Sequence, residues 1–142
     1  MCVCVFFVNT LYIVHMKHIS HIQKQKKYLD LRWEILKLIR EFFWSREFTE
    51  VETPALGLYA GQEPYISPME LSIHDNAKEK QQAYLHTSPE YALKKMLAAE
   101  YEKIFFLGKC FRDYESFGGL HNPEFTMLEF YKTKIDMFGL MD

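Results

Sequence analysis

The stretch CFRDYESFGGLHNPEFTMLEFYK, residues 110–132, packs an arginine, two adjacent glycines, His-Asn-Pro-Glu and further carboxylates between runs of aromatic residues. Its two ends read as strands. On the incoming side KIFFLGKCFR, residues 103–112, alternates so that Phe105, Leu107, Lys109 and Phe111 share one face and Phe106, Gly108, Cys110 and Arg112 the other. The second face sets small residues beside a planar fork of donors suited to phosphate or carboxylate. Gly108 and Cys110 either pack under a helix or leave room for a ligand, and this strand alone does not separate the two. The outgoing strand, residues 124–132, turns Phe125, Met127, Glu129 and Tyr131 to one face, so that a carboxylate and a phenol lie among apolar neighbours. A solvated face rarely mixes them so. If the two strands pair antiparallel through the loop between them, Arg112 and Glu129 line one pocket. Gly118 and Gly119 permit close backbone approach in that loop. His121 reads first as a histidine anchoring its own turn, ahead of a proton carrier.

Upstream, Tyr28, Leu31, Ile35, Leu38, Ile39 and Phe42 recur at three- and four-residue steps, which predicts a helix over residues 28–44 with these six on its apolar face. A strand over 48–53 follows and ends at Pro54, which has no N–H for a ladder. Residues 55–82 read as a loop, a strand at MELSI and a polar hairpin turn. A strand over 83–87 runs into TSPEYALKKMLAAE, where Ser88 suits a cap, Pro89 the first helical position and Glu90 the positive end of the helix dipole, with the helix lasting to about residue 100. The fold class is α+β, an antiparallel sheet flanked by helices.

With 142 residues, 49% hydrophobic and 16% aromatic, the chain has enough apolar surface for one core. A net charge of -2 gives no electrostatic footprint for duplex DNA. Cys2, Cys4 and Cys110 form neither a zinc-like spacing nor an even disulfide framework, which fits a reducing cytoplasm. No metal ligand set, Ser-His-Asp order or Walker-type loop is present. The apolar first fifteen residues are shorter than the roughly 20 needed to span a bilayer, and they lack a signal cleavage pattern, so no membrane partner is expected. Residues 1–27 are expected to be a leader, disordered or preceding a true start at Met16, and residues 28–142 the domain.

Three ordered motifs carry a resemblance. FTEVETP (residues 48–54) resembles motif 1 of class II aminoacyl-tRNA synthetases, and FRDYESFGGLHNPEFTMLEFY (111–131) resembles motif 2. TSPEYALKKML (87–97) between them is most similar to the lysine branch, and within it to the GenX-type ligases that attach lysine to elongation factor P. The resemblance implies that Arg112 is the catalytic arginine, holding the ATP α-phosphate and the amino-acid carboxylate while an adenylate forms. It implies that Asp113, Tyr114, Glu115 and Asn122 complete the ATP contacts, that Ser88, Pro89, Glu90, Glu129 and Tyr131 bind lysine, and that Pro54 lies at a homodimer interface. ATP is expected with Mg2+, whose ligands are not in this segment. Where the family has Phe-Arg-x-Glu, this chain has Phe111, Arg112, Asp113, Tyr114, and the loop before His121 is one residue longer. Glu115 is therefore expected to recover the adenine-side contact through a shifted loop.

Motif 3, with its second ATP-binding arginine, does not follow motif 2, and a helix starting near Asp136 is cut short at Asp142. The chain is thus expected to be a piece of a longer enzyme and inactive alone. Some 27 residues before the first catalytic helix leave no room for an anticodon-binding barrel of roughly 100 residues, which favours elongation factor P over tRNA-Lys as acceptor. The alternatives are a lysyl-tRNA synthetase core and a short paralog that dimerises or binds amino acid without chemistry.

Overall fold

A computed structural model describes residues 6–8, 19–115 and 121–141. Gly118 and Gly119 lie outside the described residues. The element order is β1 (Phe6–Val8), α1 (Ile19–Trp44), β2 (Thr49–Glu50), β3 (Leu56–Gly57), β4 (Glu70–His74), β5 (Lys80–Leu85), α2 (Glu90–Ala98), β6 (Lys103–Phe111), β7 (Glu124–Lys132) and α3 (Met137–Met141). Helices and sheets in this arrangement make an α+β fold.

The frame is the β6–β7 pair, antiparallel through nine residue pairs from Lys103 opposite Lys132 to Phe111 opposite Glu124. β1 adds antiparallel to β7. On the other edge β2 lies parallel to β6, with Thr49 opposite Ile104. That strand is two residues long rather than the six read from the alternation at 48–53. A second sheet, in the order β3-β5-β4, holds the polar hairpin. Its turn closes where Asp75 Oδ1 accepts from the N–H groups of Ala77 (2.8 Å) and Glu79 (2.9 Å), with Lys78 at φ 63. β5 begins three residues earlier than expected, at Lys80, and ends at Leu85.

Each face of β6–β7 carries its own core. On one, Phe105, Leu107 and Leu128 meet Phe43 of α1, with Leu36, Ile39, Phe48 and Phe130 packed around them. The Phe43 ring stacks on Phe105 at 4.8 Å and lies 4.9 Å from Phe130. On the other, Ile104, Phe106, Cys110, Phe125, Met127 and Tyr131 meet Leu93 of α2. Strand alternation thus divides the residues as the period of two requires.

α1 departs from expectation in two ways. It begins at Ile19, so residues 19–27, assigned from sequence to the lead-in, belong to the helix. Lysine and glutamine there are good helix formers, and Lys26 pairs with Asp30 one turn on. Its core face is also rotated. Leu36, Ile39 and Phe43 meet the sheet, whereas Tyr28, Leu31, Leu38 and Phe42 stand 71%, 55%, 60% and 49% exposed. Of the six residues read as the apolar face, Ile39 alone joins that core cluster.

Candidate active site

β6 and β7 place the chemistry-bearing residues on the α2 side of the sheet. In the register Phe106 opposes Glu129 and Cys110 opposes Phe125, so the even-numbered side chains of β6 share a face with the odd-numbered ones of β7. Arg112 follows the last residue of β6, and its N–H donates to the Pro123 carbonyl at 2.9 Å, which continues the ladder one step. Arg112 and Glu129 therefore lie on the same face. Six residues of strand separate Arg112 from the residue opposite Glu129, about 20 Å at the usual rise. Arg112 leans one same-face pair inward over the Phe125 ring, whereas the Glu129 carboxylate turns to Tyr131, one same-face pair further out.

At the Arg112 end the guanidinium carbon sits 5.1 Å from the centre of the Phe125 ring. That contact orients a planar cation whose fork matches the geometry of a phosphate or carboxylate. The neighbouring loop is tied to the second sheet, since the Asp113 N–H donates to the Ser67 carbonyl at 2.8 Å. Asp113 Oδ1 in turn accepts the Tyr114 N–H at 2.9 Å. Tyr114 adopts φ 56 and is 89% exposed, so its ring points away from the sheet. Glu115 is half-buried, and its Oε2 lies 3.6 Å from His121 Nδ1. Glu115 is thus less exposed than Tyr114 and lies beside His121. Asn122 Nδ2 is buried with no hydrogen-bond partner among the described residues.

At the other end Glu129 is 1% exposed and its Oε1 accepts the Tyr131 hydroxyl at 2.6 Å. Burial pushes its carboxyl above the ordinary range, the Tyr131 hydrogen bond pulls against that, and the charge of Glu90 adds to it. Burial, with the adjacent carboxylate, likewise raises the Tyr131 hydroxyl. A buried acid with one donor has lone pairs to spare for an ammonium group. Glu90, in the first turn of α2, pairs with Lys94. Ser88 and Pro89 stand one place out of their expected positions: Pro89 is the N-cap residue, without a side-chain acceptor. The Ser88 hydroxyl, one residue before it, takes the Glu90 N–H at 3.2 Å. Leu93, fully buried against the same face, anchors this helix start over the sheet. Pro54 is exposed in the segment after β2.

The structure thus groups Arg112, Glu129 and Tyr131 on one face, with Ser88, Pro89 and Glu90 at the start of the helix that covers it. Two residues escaped the sequence reading. Glu63 has an Oε2 buried without a hydrogen-bond partner among the described residues; a lone acid between Gly61 and Pro64 gave no periodic signal. His86 lies at the exit of β5, where the sequence marked only the end of a strand. Among the described residues, no group of three or more His, Cys, Asp or Glu is placed to hold a metal ion, so no magnesium ligand is assigned.

Cys110 lies on the floor of this site with 0% exposure. Burial first, then the charge of Glu129, pushes its thiol up to about 12, with Arg112 opposing. A thiol so held is inert at neutral pH. In a peptide-mapped labelling experiment at pH 8, a maleimide is expected to miss Cys110 in the folded protein and to modify it in denaturant. Rapid labelling of the native chain contradicts the packing described here.

The family model for class II tRNA synthetases (D, K and N) matches residues 13–142. Among curated proteins, the chain is 44% identical over 119 residues to the elongation factor P--(R)-beta-lysine ligase of Photorhabdus laumondii, covering 78% of this chain and 34% of that one. It is 42% identical over 110 residues to the protein of the same name in Proteus mirabilis, covering 77% and 34%. For that of Pseudoalteromonas translucida the figures are 45% over 114 residues, covering 80% and 35%. The chain spans about a third of the length of these relatives. Motif order, the shared sheet face and a match across 13–142 together make the chain a member of the class II tRNA synthetase (D, K and N) family.

Proposed function

We propose that this segment supplies the amino-acid pocket and the phosphate-binding arginine of a cytoplasmic ligase that activates lysine with ATP and passes it to a lysine side chain of elongation factor P. One observation carries the reading: a single sheet face holds a guanidinium at one end and a buried acid–phenol pair at the other. Glu129, Tyr131 and the Ser88–Glu90 turn receive the amino acid, whose ammonium groups need acidic and phenolic partners. The relatives' names favour its (R)-β form. Arg112 holds the α-phosphate beside the amino-acid carboxylate. A carboxylate oxygen attacks the α-phosphorus, the bond to the β-bridging oxygen breaks, and pyrophosphate leaves with its electron pair. Arg112 offsets the charge that builds on the α-phosphate oxygens in that step. Glu115 and Asn122 lie at the nucleotide end, with Asp113 bracing their loop. Tyr114, facing out, contributes backbone geometry. Magnesium bound to the phosphates would neutralise charge there. The acceptor amine then attacks the acyl carbon, forms an amide and releases AMP.

The test is an acceptor assay on the full-length enzyme, offering elongation factor P and tRNA-Lys side by side after lysine-dependent pyrophosphate exchange is established. Label is expected on elongation factor P. Label on tRNA alone identifies a lysyl-tRNA synthetase core instead.

The exposed stripe on α1 supports a homodimer as part of this reading. Tyr28, Leu31, Ile35, Leu38 and Phe42 fall at alternating three- and four-residue steps and are exposed, a spacing that suits burial against a second helix. Pro54 lies on the exposed segment after β2 and is assigned to the same interface. Leu38→Glu is expected to shift the protein from dimer to monomer in sedimentation at micromolar concentration, with helix content unchanged. A dimer that survives the charge removes this stripe from the interface.

A further inference from the structure

His86 stands where the two ends of the site meet. Its N–H donates to the Ala55 carbonyl at 2.9 Å, and its carbonyl accepts the Phe111 N–H at 3.0 Å. Its Nε2 lies 2.7 Å from the Lys109 carbonyl. A carbonyl only accepts, so Nε2 carries the proton and donates. The ring meets Phe106 edge-on at 5.9 Å and Phe111 at 6.3 Å. One side chain thus grips β6 where β2 no longer borders it, since β2 pairs only with Ile104 and Phe105.

Its place in the chain gives these bonds their meaning. Two residues after His86 come Ser88 and the start of α2, on the amino-acid side. One residue after Phe111 comes Arg112, on the phosphate side. We infer that His86 is a positioning residue, setting the distance and angle between the Ser88–Glu90 turn and Arg112 so that carboxylate and α-phosphorus meet in line. This rests on the function proposed above. Burial lowers the imidazole's proton affinity, the bond to Lys109 partly opposing, which favours the uncharged ring with its one proton on Nε2, facing the Lys109 carbonyl.

Both partners bind at separate ends, whereas alignment matters only when they react. The loss of His86 should therefore fall on kcat and spare KM. The test compares two amides in the full-length enzyme. His86→Gln carries an N–H that reaches the Lys109 carbonyl, and His86→Asn carries the same group one methylene short. In lysine-dependent pyrophosphate exchange, the Asn variant is expected to lose kcat by about a hundredfold, with KM for lysine and ATP within about twofold of the parent. The Gln variant is expected to recover most of the rate. Equal rates for the two amides, or a loss carried by KM, overturn the inference. A second readout is independent of the activity: protection of the Phe111 and Arg112 amides against hydrogen exchange should fall about tenfold in the Asn variant and not in the Gln variant. If the parent enzyme shows no lysine-dependent exchange, the proposed function fails, and amide protection still decides the role of His86. Equal protection in both variants then overturns it.

Discussion

Replacing Arg112 by alanine is expected to lower lysine-dependent pyrophosphate exchange in the full-length enzyme by about a thousandfold, the upper range for losing one preorganised charge-stabilising donor. The substitution isolates the side chain. The bond that keeps residue 112 in the ladder runs from its backbone N–H to the Pro123 carbonyl, and alanine retains it. What disappears is the planar fork beside the Phe125 ring. Arg112→Lys should recover little, because an ammonium is a point charge without the fork that spans two oxygens and without a plane to lay on the ring. Near-normal exchange by the alanine variant would remove Arg112 from the phosphate site.

The paired strands that carry this site were legible because they are long and obey one period. Over nine residues, a slip of one would turn Arg112, Cys110 and Phe106 to the opposite face, and the run of aromatic and small residues forbids it. The direction of β2 was not legible. Its parallel pairing with β6 joins residues more than fifty apart, and two residues of ladder leave no alternation to read. α1 was legible as a helix but not in its orientation. It carries two apolar stripes, one ending at Phe43 on the sheet and one ending at Phe42 in the open. Periodicity ranks stripes by hydrophobicity and is blind to which one the sheet covers, so it favours the longer stripe while the fold buries the shorter one.

In the motif-2 loop, the departure from the family pattern is visible in the sequence, and Glu115 lies 3.6 Å from His121 while Tyr114 is exposed. His86 and Glu63 had no such signal. Their significance comes from neighbours distant in sequence: Lys109 and Phe106 for the histidine, and for the acid a burial that only the folded loop creates.

Glu129→Gln is expected to weaken binding of the cationic amino acid about a hundredfold while making the folded chain more stable at neutral pH. The two effects share a cause. Burial raises the Glu129 carboxyl above its ordinary value, so between that value and the raised one the folded state keeps a proton that the unfolded state has lost. Stability therefore falls as pH rises through this window, and above it the chain folds around an ionised, largely desolvated carboxylate. Glutamine keeps the shape and an oxygen for the Tyr131 hydroxyl but never ionises. The variant should melt higher than the parent at pH 7 to 8, with the gap closing toward pH 4. For binding the sign reverses. An ammonium group favours the ionised carboxylate, so uptake of lysine expels the proton, and parental affinity should weaken as pH drops into the window. The glutamine variant, lacking that proton and the charge-assisted bond, should bind weakly without this pH dependence and discriminate poorly against norleucine, which lacks the side-chain ammonium. Calorimetric titration across pH, with lysine and norleucine in parallel, measures both. Unchanged discrimination in Glu129→Gln would place the recognising acid elsewhere, and a variant less stable than its parent at pH 8 would mean that this carboxylate is better solvated than its 1% exposure implies.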